Sequence, residues 1–372
     1  MKKVLIAILQ LPKNAGSSRT VFEQVDYFLK HDYEVHVASL VFDDCFDENV
    51  KCHKLLPWIK STGLRRRQWF NFQFNLLKKI LRPEVVIGHG DIMEQDILTL
   101  HNSVFLAHEM IHGQFLDPKH EMAITHGNLL LSKKFKFLIA NSELMKADLV
   151  KRFRIEAGKI IVAYPNVDTN VFIKQDEKER LKLRELFGFD EKVVVALVTS
   201  GNFRKRGVDR FVEAVEKLPI SIREMADFRI VGKDKILASQ IPNIVLDGKI
   251  DKIHNYYNAI DVFVLPGYIE EFGRVVTEAM ACGLPIITCS SVGASEIIKG
   301  GARKGVLSPY SVEAFTALLM ELIVSKPLRE KLGDLNEEII KLGYENLDIK
   351  LDYIIKNLDK NMSSGADERD SM

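Results

Sequence analysis

The sequence lacks the features that would direct it across a membrane or into an oxidising compartment. Its four cysteines among 372 residues show no Cys-x-x-Cys spacing, which favours a reduced, cytoplasmic protein over a disulfide scaffold. No segment approaches the roughly 18 apolar residues that a transmembrane helix needs. The apolar run Val4–Leu9 is short for a signal peptide, and it predicts a buried first strand instead.

Signatures of several cofactors are also missing. The formal net charge is only +1, so nothing indicates a nucleic-acid-binding surface. The first strand–loop–helix has no Gly-x-Gly-x-x-Gly, which disfavours a dinucleotide, and no phosphate loop ends in Gly-Lys-Ser/Thr. The acidic run Asp43–Asp47 contains no Asp-x-Asp, the motif that holds a diphosphate through a metal ion. We therefore expect neither a cofactor nor a metal.

What the sequence does contain is a regular alternation of buried strands and amphipathic helices. This alternation predicts an α/β protein with parallel sheets. A chain of 372 residues exceeds the usual size of one core, so two domains are expected. One strand–helix–strand series begins at Val4–Leu9 and a second at Val193–Ser200. The segment Leu347–Leu358 predicts a final apolar helix, and the polar stretch Asn361–Met372 predicts a disordered tail.

The segment Pro266–Pro285 predicts a site for a phosphorylated, hydroxyl-rich ligand. It continues the apolar strand Val262–Leu265 through a loop into a helix that ends at Gly283. The first N–H groups of such a helix have no partners within it and can bind an anion. Glu270 lies in the loop and Glu278 in the helix. Because carboxylates repel phosphate, their natural partners are hydroxyl groups attached to it, and a nucleotide sugar supplies both groups.

A second candidate anion site is the run Gly201–Gly207, between a predicted strand and a predicted helix. Its three adjacent cations, Arg204, Lys205 and Arg206, are costly together unless solvent or an anion balances them. The helix start that follows also favours negative charge. The run is therefore interpreted as a diphosphate site, with a solvated basic turn as the alternative.

These motifs resemble a known family. The pair Glu270-x7-Glu278, with Phe272–Gly273 inside it and Gly283–Pro285 after it, resembles the signature of retaining, GT-B-fold glycosyltransferases of the family 4 type. The resemblance is closest over residues 198–285 and extends loosely over most of the chain. It implies two Rossmann-like domains that face a cleft, and a C-terminal helix that crosses back to the first domain.

The resemblance also implies how the chain is divided. Residues 1–170 would form the acceptor-binding domain and residues 171–345 the nucleotide-sugar-binding domain. Residues 346–360 would form the returning helix, and residues 361–372 the disordered tail.

Residue roles follow by matching the family's motifs. The resemblance makes Lys205 and Arg206 the metal-free partners of the donor diphosphate. Glu270 would orient the transferred sugar, and Glu278 would bind the ribose. The other implied donor-binding residues lie at strand ends or around the helix start, and they are Gly201, Lys249, Phe272, Gly273, Arg274 and Val275.

Two further residues are implied in the first domain. His101, within Thr99–Ser103, matches a family histidine near the reacting sugar, which would make it catalytic together with Glu270, Lys205 and Arg206; a structural histidine is the alternative. Gly16 matches one glycine of a pair in the family's first loop, near the acceptor.

The implied activity is the transfer of a hexose, glucose from UDP-glucose, to a glycan or glycolipid acceptor. The context would be lipopolysaccharide core or other cell-envelope polysaccharide synthesis, in the cytoplasm or peripherally at the cytoplasmic face of the inner membrane. The basic and aromatic segment Arg65–Phe74 suits contact with anionic lipid, although the sequence slightly favours an amphipathic helix packed on its own domain.

Two other functions remain open from the sequence. His108-Glu109-x-x-His112 matches the His-Glu-x-x-His pattern of zinc metallopeptidases, in which two histidines bind zinc and the glutamate acts as base. The third possibility is a non-catalytic protein that binds nucleotide sugars.

Overall fold

The computed structural model describes residues 1–12, 16–43, 46–57, 63–199, 201–233 and 243–367. The chain forms two compact units. The first comprises Met1–Glu109, Gln114–Pro165 and the segment from Glu345 onwards, and the second comprises Met110–Gly113 and Asn166–Tyr344. The chain passes into the second unit after Pro165 and returns to the first after Tyr344, whereas the sequence predicts boundaries at 170 and 345.

The first unit contains a large parallel sheet and its covering helices. Its strands are β1 (Lys3–Ala7), β2 (Gln10–Leu11), β3 (Glu34–Ser39), β4 (Val41–Phe42), β5 (Val50–Lys54), β6 (Val85–Gly88), β7 (Ile97–Thr99), β8 (Phe137–Ala140) and β9 (Ile160–Val162). Its helices are α1 (Gly16–Lys30), α2 (Leu64–Leu81), α3 (Val104–His112), α4 (Glu121–Ser132), α5 (Glu143–Phe153) and, at the C-terminus, α13 (Leu347–Asp367). Seven strands pair in the order β5-β3-β1-β6-β7-β8-β9, while β2 and β4 pair separately.

The apolar strands are buried because helices cover both faces of this sheet. Four of the five residues of β1 are buried, as expected for a parallel strand that meets side chains on both sides. One face packs against α1 and α13. The other packs against α2 through Phe70 and Phe74, which are fully buried.

The C-terminal helix α13 returns to the first unit, as the family resemblance implies. Leu351, Ile354 and Leu358 lie in one core cluster with Val21 and Phe28 of α1. Burial of each such side chain contributes roughly 1.5–3 kcal/mol, which is enough to hold a helix that is distant in sequence. The prediction of a disordered tail from residue 361 is wrong for residues 361–367. They continue the helix to Asp367, and no proline interrupts it. Residues 368–372 lie outside the described part of the chain.

The second unit repeats the same design. Its strands are β10 (Val193–Val198), β11 (Ala226–Val231), β12 (Ile244–Gly248), β13 (Val262–Leu265), β14 (Ile286–Cys289) and β15 (Val306–Leu307). Its helices are α6 (Glu177–Leu186), α7 (Val208–Lys217), α8 (Ile220–Arg223), α9 (Ile253–Ala259), α10 (Arg274–Ala281), α11 (Val312–Val324) and α12 (Lys326–Leu342). The six strands pair in the order β12-β11-β10-β13-β14-β15.

Each sheet has one point at which the winding direction reverses. In the first unit this point lies between β1 and β6, and in the second between β10 and β13. Loops after these strands leave the sheet in opposite directions and open a crevice at the strands' carboxyl ends, where doubly wound folds bind ligands. None of the helices in the described ranges combines the length and the apolar character that crossing a bilayer demands.

Candidate functional site

The loops that follow β10 and β13 meet at the reversal point of the second sheet. Gly207, the N-cap residue of α7, has a φ of +73°, and a Cβ atom at this position would lie 2.1 Å from the carbonyl oxygen of Pro266. The backbone N–H of Tyr268 donates to the carbonyl of Lys205 at 3.0 Å. Glycine is therefore required at position 207, because any side chain would separate two loops that the backbone joins.

Contact between the loops brings the predicted cations to the predicted carboxylates. Lys205 Nζ donates to Glu271 Oε2 at 2.5 Å, and the side chains are 12% and 4% exposed. The guanidinium of Arg206 forms an ion pair with Glu270. Two residues of each loop thus form a cluster of four charges of balanced sign at the strand ends.

Arg206 is a partly buried cation with unused hydrogen-bonding capacity. Its side chain is 18% exposed, and Nε has no hydrogen-bond partner among the described residues. Burial lowers the pKa of Arg206 to about 10, although the charge of Glu271 opposes that shift. The group stays protonated at neutral pH. An unsatisfied donor on a buried cation is a favourable partner for an anionic ligand.

Helices α7 and α10 start directly after these two loops, and neither has a side-chain cap at its amino-terminal end. Helices α5, α11 and α12 begin at serines whose hydroxyl oxygens accept a backbone N–H. By contrast, α7 begins at Gly207 and α10 begins at Gly273, and neither has a side-chain cap. The N–H of Val208 donates to the carbonyl of Phe203, and that of Val276 donates to the carbonyl of Gly273. The remaining N–H groups of each first turn are of the kind that bind anions.

The loop after β13 is fixed by backbone hydrogen bonds. Glu270 donates its N–H to the carbonyl of Ser291 at 3.1 Å and accepts from the N–H of Gly293 at 2.9 Å. The carbonyl of Phe272, which is buried, accepts from the N–H of Ala294 at 2.7 Å. The backbone at Glu270 is therefore set by the segment that follows β14.

Arg210 on α7 contacts the same loop. Its guanidinium lies 3.8 Å from the ring centre of Tyr268 and 4.0 Å from that of Tyr310. It also donates to the carbonyls of Pro266 and Gly267, at 3.2 Å each. Such a planar cation between two rings is a rigid support for the loop.

Glu278 lies in α10, as the sequence predicts, and is only 4% exposed. The hydroxyl group of Tyr257 donates to Glu278 Oε2 at 3.4 Å. A buried carboxylate with a hydroxyl donor beside it has the chemistry of a group that recognises ligand hydroxyls.

Of the other predicted donor-binding residues, Gly201, Arg274 and Val275 belong to the segments that form this cluster, whereas Lys249 lies in a different loop. The N–H of Gly201, just after β10, donates to Thr199 Oγ1 at 3.2 Å. Arg274 donates to the carbonyl of Asn166 at 2.8 Å, and the half-buried Val275 follows it in α10. Lys249 lies beyond β12 at the sheet edge, two strands from β10, and its ammonium pairs with Asp251 at 2.5 Å.

The reversal point of the first sheet holds a different arrangement, in which His101 is prominent. His101 Nε2 lies 2.7 Å from Nδ1 of His89, a buried residue that follows β6. His89 Nε2 lies 2.9 Å from Gln24 Oε1 on α1, and Gln24 Nε2 donates to Thr99 Oγ1 at 3.0 Å. Burial lowers the pKa of His89 well below its ordinary value, so that the ring is neutral at pH 7.

A cavity of about 250 Å³ opens beside these histidines. Its lining includes an ion pair between Arg67 and Asp91, and Asp91 Oδ2 accepts the N–H of Leu9 at 2.8 Å. Burial raises the pKa of Asp91 and is opposed by the charge of Arg67. His126 also lines the cavity, and burial lowers its pKa to about 4.

Gly16 begins α1 near this cavity, which Ser17 lines. The carbonyl of Gly16 accepts from Thr20 Oγ1 at 3.2 Å. Ala15, which stands where the family has its other glycine, lies outside the described residues.

The His108-Glu109-x-x-His112 pattern does lie on a helix, α3, but its glutamate is engaged elsewhere. Arg152 donates to both oxygens of Glu109, at 2.6 and 3.0 Å, and His108 Nδ1 lies 3.0 Å from the carbonyl oxygen of Gln114. Among the residues that the structure describes, no three His, Cys, Asp or Glu side chains are grouped to hold a metal. The zinc-peptidase alternative finds no support.

The sequence interpretation missed the partners of the predicted residues. Glu271 was not distinguished from its neighbour Glu270, although a second adjacent carboxylate opposite two cations was a usable signal. His89 and Gln24 are 65 positions apart and carry no local motif. Only the strand order brings them to His101.

Two family models match the chain. The model described as Glycosyltransferase Family 4 matches residues 15–171, and the model described as Glycosyl transferases group 1 matches residues 179–338. The chain belongs to the glycosyltransferases of group 1 and family 4. The first model covers most of the first unit of this glycosyltransferase, and the second covers most of the second unit.

Individual relatives are more distant. The glycosyltransferase is 25% identical to the lipopolysaccharide glucosyltransferase WaaG of Escherichia coli (strain K12) over 221 residues. This match covers 57% of this chain and 59% of that protein. It is 24% identical to the capsular polysaccharide biosynthesis glycosyltransferase CapM of Staphylococcus aureus over 209 residues. This match covers 53% of this chain and 54% of that protein. The matches thus span little more than half the length of these curated relatives.

Solved structures establish the fold. A crystal structure of WaaG, described as a glycosyltransferase involved in lipopolysaccharide biosynthesis, has a TM-score of 0.81 at 20% identity, covering 94% of this chain and 98% of that one. The structure of Anabaena Alr3699/HepE in complex with UDP-glucose has a TM-score of 0.70 at 14% identity, covering 98% and 100%. The glycosyltransferase has the GT-B fold, as the resemblance implied.

Proposed function

We propose that this glycosyltransferase transfers glucose from UDP-glucose to a glycan or glycolipid acceptor, with retention of the anomeric configuration. The observation that carries the proposal is the charge cluster at the reversal point of the second sheet. There Lys205 and Arg206 lie beside the uncapped starts of α7 and α10, and carboxylates stand on the adjoining loop and helix.

Breakage of the bond between the sugar and the diphosphate leaves negative charge on the departing phosphate. Lys205, Arg206 and the helix N–H groups would stabilise that charge in place of a metal ion. Arg206 is largely shielded from water. A cation in such surroundings stabilises a nearby negative charge more strongly than a cation in water does. These residues would let the reaction proceed without a metal ion.

The carboxylates would recognise the hydroxyl-bearing parts of the donor. Glu270 would orient the hexose through its hydroxyls, and Glu278, next to the hydroxyl group of Tyr257, would bind the ribose. The choice of UDP and glucose is supported by the names of the WaaG relative and of the HepE complex. His101, beside the first unit's cavity, would contact the transferred sugar or the acceptor.

The donor assignment is tested without knowledge of the acceptor. Thermal denaturation in EDTA with UDP-, GDP- and ADP-sugars should show the largest stabilisation by a UDP-sugar. Absence of any shift, or a shift that appears only when Mg²⁺ is added, would contradict the metal-free donor site.

Slow release of UDP from UDP-glucose distinguishes an enzyme from a protein that only binds nucleotide sugars. We expect detectable hydrolysis in the native protein and its loss in Glu270→Ala. The control is Glu321→Ala, which removes a carboxylate from a surface pair with Lys304 in the same unit. Binding of UDP-glucose without any hydrolysis or transfer would indicate a binding protein.

The acceptor proposal is a glycolipid of lipopolysaccharide core or another cell-envelope polysaccharide, met at the cytoplasmic face of the inner membrane. Helix α2 supports membrane contact: Phe72, Leu76 and Ile80 are exposed at four-residue spacing, by 52%, 48% and 76%. Residues 64–82 carry six basic side chains and no acidic one. An apolar stripe on a basic helix is typical of segments that lie on anionic bilayers.

Co-sedimentation with vesicles tests this contact. The protein should bind vesicles rich in anionic phospholipid and not vesicles of phosphatidylcholine alone, and Phe72→Ser with Ile80→Ser should weaken binding several-fold. Leu181→Ser is the matched control, because Leu181 is an exposed leucine on α6, in the other unit. Equal loss in the control and the α2 variant would contradict a role for α2.

A further inference from the structure

Glu271 is the residue of the donor site whose function neither the sequence nor the family motif explains. It is 4% exposed and contacts the ammonium of Lys205, which is itself 12% exposed. Both charges are therefore largely withdrawn from water. Hydrogen bonds between such charged groups are among the strongest in proteins.

The pairing occupies a cation that the proposed function assigns to the donor diphosphate. Lys205 and Arg206 carry two positive charges, and Glu270 and Glu271 carry two negative ones. A diphosphate that enters this balanced cluster makes it strongly negative, and like charges held close together in a buried site are costly. The ammonium must be withdrawn from Glu271 or shared with it.

The backbone of both loops is fixed by hydrogen bonds, so the change of partner must be made by side chains. The carbonyl of Lys205 is held by the N–H of Tyr268, and the neighbouring Glu270 is held through both its N–H and its carbonyl. Arg210 fixes Pro266 and Gly267 at the start of the same loop. The lysine side chain, on its flexible four-carbon stem, can change partners without movement of the loops.

We propose that Glu271 competes with the diphosphate for Lys205, and so limits how tightly the site holds UDP. Glu271 is in this sense a positioning residue: it holds the lysine in the nucleotide-free site and takes it back when UDP leaves. The inference rests on the proposed function, because it requires the diphosphate to bind at Lys205.

The test is the affinity for UDP of Glu271→Gln, which keeps the shape of the side chain and removes its charge. Titration calorimetry in EDTA should show UDP bound about tenfold more tightly or better than by the native protein. Affinity for uridine, which has no phosphate, should not change. Product inhibition by UDP should strengthen by the same factor. A merely structural role cannot produce tighter binding, and Glu271→Ala should give the same direction if the glutamine variant is unstable.

A double-mutant cycle shows whether the effect passes through Lys205. In a Lys205→Gln background, removal of the charge at position 271 should change UDP affinity much less than in the native background. The control Glu321→Gln, which breaks a surface ion pair with Lys304, should leave UDP affinity unchanged.

Unchanged or weaker UDP binding by both Glu271 variants would overturn this inference while the proposed function stands. Failure of the native protein to bind UDP at all would instead overturn the proposed function, and this inference with it.

Discussion

The crevices at the two sheet reversals have the same strand topology but differ in charge. In the second unit, cations from the loop after β10 meet carboxylates from the loop after β13, and the cluster is built from charges. In the first unit, burial keeps His89 and His126 neutral at pH 7, and the one ion pair described at the cavity is Arg67–Asp91. One topology thus supplies a place for ligands, while side chains decide which ligand chemistry fits there.

The difference suits the two halves of a transfer reaction. A charged crevice with helix starts fits a diphosphate, whose charge must be balanced when the sugar leaves. A crevice that holds the neutral imidazoles of His89 and His126 presents hydrogen-bond donors and acceptors, which would suit the hydroxyl groups of a sugar acceptor.

The largest expected effect is on catalysis in the charged crevice. Arg206→Gln should lower kcat/KM for donor hydrolysis or transfer by about 100- to 1000-fold, because it removes a preorganised cation from the leaving group. Steady-state release of UDP measures this loss. Lys304→Gln, at a surface ion pair, is the control and should act like the native protein. A loss below about fivefold would mean that Arg206 does not face the diphosphate.

The next effect is on the stability of the second unit. Gly207→Ala should destabilise it by about 2–4 kcal/mol, since it combines a strained backbone at a φ of +73° with a clash against Pro266. Gly16→Ala is the matched change in the first unit, where no atom lies within 4 Å of the added Cβ, and it should alter stability by less than about 1 kcal/mol. Denaturant unfolding compares them, and equal effects would contradict the close contact of the two loops.

The third effect belongs to the first unit's crevice and depends on pH. Burial holds the pKa of His126 at about 4, below its ordinary 6.5, so the unfolded chain takes up this proton first as the pH falls. The free energy of unfolding should therefore fall between about pH 6.5 and pH 4, by up to roughly 3 kcal/mol from this group.

The variant His126→Asn should make this pH dependence shallower. Denaturant unfolding of both proteins at pH 7 and pH 5 measures the change. The same slope in both would show that His126 does not titrate as a buried group.

The two crevices also differ in how far the sequence predicts them. Lys205, Arg206, Glu270 and Glu278 lie in two short segments, each with a strand before it and a helix after it, so local patterns identify them. The pairing of Lys205 with Glu271, 66 positions apart, depends on β10 and β13 being neighbours, and no local pattern contains that information.

The first crevice was predicted only through His101 and Gly16. The chain of contacts from His101 through His89 to Gln24 joins two strand ends and one helix face. Burial that neutralises a histidine is a property of the packed structure, and composition cannot show it. The helix at residues 361–367 was missed for the opposite reason, because a polar composition predicts disorder yet does not forbid a helix that is already begun.

A crystal structure of the complex with UDP, from crystals grown in EDTA, tests the central claim most directly. We expect the diphosphate to contact Lys205 and Arg206 and to lie at the starts of α7 and α10, with the ribose at Glu278. A diphosphate bound away from Arg206, or held to the protein only after a divalent metal is added, would contradict it.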